Sequence, residues 1–193
     1  MIIGLAGNSG AGKSTVRNAF QDRGFMVVDC DDSARRVADN PAFLRELDSR
    51  FPKSLLNLDG TLNRAVTADI IFNDSEMRGL YNRIIFPYII YDVIGKIKSA
   101  GGDILLDAPT LFEAGLDIIC TAIVSVTADS ELCCKRICQR DMLTEEQAKA
   151  RLSSQHSAKF FKEHSDFIVE NNDTKEQLFE RAYNVIDRLK GIK

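Results

Sequence analysis

The sequence predicts an α/β fold: a five-stranded, mostly parallel sheet covered by helices on both faces. Three observations lead there. Short apolar runs alternate with segments of helical period, a glycine-rich pattern joins the first run to the first helix, and the later runs end at polar residues. Residues 1–6 are the first run, and glycines follow before residues 14–23, where Val16, Ala19 and Phe20 recur at helical spacing. Residues 25–28 form a second strand ending at Asp29, Asp31 and Asp32, ahead of a helix carrying Ala34, Val37 and Ala38. Residues 40–102 read mainly as helix, broken at Pro41, Pro52 and an Asp59-Gly60 turn. Residues 103–107 and 121–126 are the third and fourth strands, residues 131–140 a helix, and residues 167–169 the fifth strand. Thr144 with Gln147, and Thr174 with Gln177, have the spacing of a capping box at a helix start.

A chain of 193 residues fits one catalytic domain, 1–193, with the helical stretch as an insertion. The net charge of -3 gives no general field for nucleic acid or an anionic membrane, so an anionic ligand must be held locally. The longest apolar stretch, residues 84–95, is interrupted by Pro87 and Asp92 and is too short to span a bilayer, and no basic region precedes the first apolar run. The expectation is a cytoplasmic monomer or small homo-oligomer acting on a small phosphorylated molecule, with neither nucleic acid nor membrane as partner. The five cysteines are odd in number and lack a paired Cys-x-x-Cys spacing, which reads as reduced thiols packed as hydrophobes.

Gly7-Asn8-Ser9-Gly10-Ala11-Gly12-Lys13-Ser14 satisfies G-x-x-x-x-G-K-[ST] between a strand and a helix, the context its mechanism needs. Such a phosphate loop (P-loop) turns successive N–H groups toward phosphate oxygens, and the following helix adds its positive end. Lys13 is expected to reach the β- and γ-phosphates of ATP, and Ser14 to bind Mg²⁺. Asn8, Ser9, Gly10, Ala11, Gly12, Lys13, Ser14 and Thr15 are thus the candidate ATP-binding residues. The guanine signature Asn-Lys-x-Asp is absent, and the one Asp-x-x-Gly lies in the helical stretch at residues 92–95, which disfavours a GTPase. A kinase needs an acceptor pocket, a base and cationic groups around the migrating phosphoryl.

Matches to those needs run in order along the chain: Gly4-Leu5-Ala6-Gly7; Val28-Asp29-Cys30-Asp31 with Ala34-Arg35; Asp59-Gly60-Thr61-Leu62-Asn63-Arg64; and Leu106-Asp107-Ala108-Pro109-Thr110-Leu111-Phe112-Glu113. Arg136, Arg140-Asp141, Arg151 with Gln155, and Ile168-Val169-Glu170-Asn171-Asn172 complete the set. The chain thereby resembles the dephospho-CoA kinase family. That resemblance implies transfer of the ATP γ-phosphoryl to the ribose 3′-hydroxyl of dephospho-CoA, on a P-loop core of five parallel strands. It also implies a helical acceptor-binding region, placed here at about 60–100, and a mobile lid at about 136–160. The alternatives are another small-molecule P-loop kinase, for a nucleoside or nucleoside monophosphate, and a non-catalytic nucleotide sensor.

The resemblance gives Asp31 as general base, with Asp31, Arg35, Arg64 and Glu113 toward the acceptor. Asp29, Asp31 and Asp32 equally suit helix capping. Asp107, ending an apolar strand like a Walker-B aspartate, either holds Mg²⁺ through water or caps. Arg136 and Arg140 share a helix face and could neutralise phosphoryl charge, Arg140 in the family-like Arg-Asp-x-Leu and expected to be catalytic with Lys13. Arg151 is either a lid cation or a partner of Glu145 or Glu146. Asn171 is expected at the adenine of ATP, or in a turn. Where the family usually has His-Pro this chain has Phe86-Pro87, and Asn8, Met142 and Asp173 replace common glycines; Asn8 and Asp173 tolerate left-handed backbone better than most residues, so local adjustment without loss of the sites is expected.

Overall fold

The computed structural model describes residues 1–191; residues 192 and 193, part of the expected single domain, lie outside the described residues. The strands are β1 (Ile2–Gly7), β2 (Met26–Asp29), β3 (Ile104–Asp107), β4 (Ala122–Thr127) and β5 (Phe167–Glu170). The helices are α1 (Lys13–Asp22), α2 (Cys30–Val37), α3 (Pro41–Arg50), α4 (Arg64–Asn73), α5 (Ser75–Ser99), α6 (Ser130–Asp141), α7 (Glu145–Ser153), α8 (Ala158–Glu163) and α9 (Lys175–Gly191). A 3₁₀ turn at Leu116–Ile119 precedes β4.

The strands lie in the order β2-β3-β1-β4-β5. Central β1 pairs parallel with β3, Ile2 opposite Ile104 and Leu5 opposite Asp107, and with β4, while β4 pairs parallel with β5. Strands buried on both faces read as continuous apolar runs, which is why β1 and β3 were legible. Gly7 closes β1 at φ 141, and a Cβ there would lie 2.4 Å from the Val126 carbonyl oxygen, so only glycine lets β1 and β4 approach where the phosphate loop begins.

The chain divides into two compact units, Met1–Val28 with Ala100–Lys193, and Asp29–Ser99. The first holds the sheet core, where Ile3, Leu5, Leu105, Val124 and Val126 pack with Val16, Ala19 and Phe20 of α1 and Leu178, Ala182 and Ile186 of α9. The second is helical and starts well before residue 60. In it Phe43 is fully buried, with the rings of Tyr81 and Tyr88 edge-on to it. The Tyr88 hydroxyl donates to Glu46 over 2.8 Å.

Capping chemistry sets the boundaries. Asp29 is the N-cap of α2, accepting from the N–H groups of Asp31 and Asp32, and Asn40 and Asn63 cap α3 and α4 likewise. Thr144 and Gln147 form the full capping box of α7, and Thr174 and Gln177 exchange the same pair of bonds before α9. Helix α5 runs unbroken through Pro87, an exposed position, in keeping with the helical reading of that stretch. Among the described residues Met142 alone of the non-glycines has positive φ, at 54°, so Asn8 and Asp173 occupy common glycine positions without left-handed backbone.

Candidate active site

The loop between β1 and α1 curls as the motif requires, with Gly10 at φ 78 and Gly12 at φ 99. Side-chain-bearing residues avoid that region, so the two glycines make the curl possible. Lys13 opens α1, and its ammonium group pairs with Asp107 at the end of β3. Arg17, one turn further along α1, pairs with the other Asp107 oxygen at 3.3 Å. Asp107 is only 6% exposed, yet two cations offset the burial of its carboxylate. Sequence reading missed Arg17, although its i+4 spacing from Lys13 was the available signal.

Ser14 is exposed on the first turn of α1, and Thr15 donates its N–H to the Gly12 carbonyl over 3.0 Å. One hydroxyl and one carboxylate fit Mg²⁺, a hard cation that keeps several waters and takes its other oxygens from substrate phosphates. Among the described residues no group of three or more His, Cys, Asp or Glu side chains forms a metal cage.

Arg140 at the end of α6 forms a two-pronged bond to Asp141, 2.8 Å on each side, and its Nη2 also donates to the Ser9 hydroxyl at 3.3 Å. Arg151 donates to the same carboxylate over 2.7 Å, so its partner is Asp141 and neither Glu145 nor Glu146. The Arg140 bonds hold the Asp141 carboxyl below its ordinary range, and Asp141 in turn raises Arg140. Gln155, after α7, accepts from the Ser9 N–H over 3.0 Å.

Asn171 is buried, and its amide nitrogen donates to the Ala11 carbonyl over 2.7 Å, so it meets the backbone of the phosphate loop. Arg136 donates from one guanidinium nitrogen to the carbonyls of Gly10 and Asn171, at 3.3 and 3.2 Å, so it is engaged with main chain. Glu113 lies 3.3 Å from His156, an ion pair whenever that ring is protonated. The first unit therefore gathers Asn8 to Thr15 with Asp107, Arg140 and Asn171.

Asp31, Arg35 and Arg64 belong to the second unit. Asp31 follows the carboxyl end of β2 in the first turn of α2. Asp32 pairs with Lys96 at 3.0 Å, and Arg35 stands 3.9 Å from it. Arg64 opens α4 and pairs with Asp39 at 3.1 Å. Just before it, Asp59 accepts from the N–H and hydroxyl of Thr61, and Gly60 has φ 81, so turn chemistry accounts for part of that family-like segment.

A parallel sheet with a phosphate loop after its central strand, and a strand-end aspartate paired to the loop lysine, defines a P-loop nucleotide-binding protein. The model of the dephospho-CoA kinase family matches residues 1–177. The chain belongs to the dephospho-CoA kinase family. A dephospho-CoA kinase of Listeria innocua is 35% identical over 191 residues, 96% of each chain, and one of Fusobacterium nucleatum is 34% identical over 184 residues, 94% of this chain and 95% of the other. A solved structure from Thermus thermophilus superposes with a TM-score of 0.83 at 27% identity, covering 96% of this chain and 95% of its own. The dephospho-CoA kinase of Campylobacter jejuni shares the fold, with a TM-score of 0.71 at 24% identity over 100% of this chain and 98% of its own. Membership decides for an ATP-dependent kinase with an alcohol acceptor over a nucleoside kinase or a sensor.

Proposed function

We propose that the chain transfers the γ-phosphoryl group of ATP to the ribose 3′-hydroxyl of dephospho-CoA, giving CoA and ADP. The intact loop from Gly7 to Ser14, with Lys13 held at the Asp107 carboxylate, carries the donor half of this reading. The acceptor half rests on family membership. Backbone N–H groups of the loop orient the phosphates, and Lys13 exchanges its carboxylate partner for β- and γ-oxygens. Asp31 takes the proton of the 3′-hydroxyl as that oxygen forms its bond to γ-phosphorus and the bond to the β-γ bridging oxygen breaks. Arg140, beside Ser9, offsets charge spreading over the transferred group. Arg35, Arg64 and Glu113 are the proposed acceptor contacts. The Ser14 hydroxyl and the Asp107 carboxylate would hold Mg²⁺, which would supply charge neutralisation to the ATP phosphates. We place the enzyme in the cytoplasm as a monomer or small homo-oligomer, with no nucleic acid or membrane as partner.

Incubation with MgATP and a panel of acceptors tests the reading. ADP release is expected with dephospho-CoA and to be far lower with nucleosides and nucleoside monophosphates. No ADP above background with dephospho-CoA, alongside turnover of a nucleotide, would overturn the acceptor.

A further inference from the structure

We propose that Asn171 and Arg136 form a clamp on the outer side of the phosphate loop and are positioning residues for ATP. This rests on the loop being the site of the ATP phosphates.

A loop whose N–H groups turn inward turns carbonyl groups outward, and buried carbonyls need donors. Two consecutive outward carbonyls receive them here from side chains distant in sequence. Asn171, just beyond β5, donates its amide to Ala11 over 2.7 Å, and Arg136, midway along α6, donates to Gly10 over 3.3 Å. The same guanidinium donates to the Asn171 carbonyl over 3.2 Å, so the two clamp residues are tied to each other. A Cβ on Gly12 would lie 2.3 Å from the Asn171 amide nitrogen, so the bare Cα of Gly12 admits Asn171 as well as permitting the turn.

The clamp is itself anchored. The Asn171 N–H continues the β4–β5 ladder by donating to Thr127 over 2.8 Å. Its neighbour Asn172 exchanges two bonds with Asp129, at 2.9 and 3.2 Å. Chemistry follows from the placement. The Ala11 carbonyl shares one peptide group with the Gly12 N–H, and a donor on the oxygen polarises that group, strengthening the N–H as a phosphate donor. Asn171 and Arg136 thus hold the loop curled and sharpen its donors without touching nucleotide.

The test compares Asn171→Leu, close in size but without a donor, and Arg136→Met with Arg136→Lys, which keeps one donor. Calorimetric binding of MgATP is read beside melting temperature and the KM for dephospho-CoA. The expected result is a loss of MgATP affinity of about tenfold in Asn171→Leu and Arg136→Met, in line with an unsatisfied buried carbonyl. Arg136→Lys is expected to recover most of it, and the acceptor KM to stay near wild type. A general structural role would instead lower the melting temperature and shift both substrates alike. Folded Asn171→Leu and Arg136→Met proteins with wild-type MgATP affinity would overturn the clamp, and so would equal shifts for ATP and acceptor. Should Asn171→Leu fail to fold, the Arg136 pair decides alone. Wild-type protein that does not bind MgATP would sink the ATP reading separately. Amide hydrogen exchange at Gly10, Ala11 and Gly12 then still decides the clamp: faster exchange in the variants supports it, and unchanged exchange overturns it.

Discussion

Single carboxylates in this chain do different work according to what surrounds them. Asp29 is a helix cap, Asp107 is buried between two cations, and Asp141 binds two arginines. Asp31 is the proposed base, so Asp31→Asn is expected to lower turnover by about 10²-fold or more while MgATP binding stays near wild type. Unchanged turnover in a steady-state assay would remove it from that role. A thiol gives a second expectation. Burial, with the Asp117 carboxylate adding to it, pushes Cys120 up to about 12 from 9.0. Between those values the folded state keeps a proton that the unfolded chain has lost, so this group's contribution to stability falls as pH rises through that window. At pH near 8, iodoacetamide should therefore leave Cys120 unmodified in folded protein and label it in guanidinium, as mass spectrometry would read. Equal labelling in both would contradict its burial. Family-like spelling made Asp31, Lys13 and Arg140 stand out, whereas the bonds of Asn171 and Arg136 to the loop join positions far apart in sequence and could not be read from spacing.

Among elements, the segment around α7 shows most clearly what local chemistry encodes. The capping box of Thr144 and Gln147 was legible because it is a four-residue pattern, and the same holds for Thr174 and Gln177. Met142 ends α6 in left-handed conformation, at φ 54 and ψ 35, with its side chain exposed. A non-glycine residue there costs roughly 1–2 kcal/mol, partly offset by the greater unfolded-state freedom of glycine. Met142→Gly is thus expected to stabilise the protein by about 0.5–1 kcal/mol. Thermal denaturation should show a rise of about 1–4 °C for a chain of this size. A lower melting temperature would mean that Met142 makes compensating contacts.

Over the whole molecule, a ligand bound only by the folded state adds to its stability by mass action. MgATP at about 100 times its Kd should contribute about 2.7 kcal/mol, a rise in melting temperature of roughly 5–10 °C, and Lys13→Ala should lose most of the rise at the same concentration. No shift in wild type would count against nucleotide binding. The parallel core was legible because each of its strands is a short, largely apolar run, the later ones ending at polar residues. The start of the second unit at Asp29 was not, since α2 continues directly from β2 without a linker. That interposed unit also sets a timetable. Ile2 lies opposite Ile104, so at about 5–20 residues per second the strand beside β1 leaves the ribosome roughly 5–20 s after β1 itself. Throughout that delay the apolar Ile2–Gly7 segment has no partner strand, while the helices of Asp29–Ser99 can already pair with sequence neighbours. The nascent chain thus has reason to rely on a holding chaperone until β3 and β4 arrive to enclose the oldest strand of the sheet.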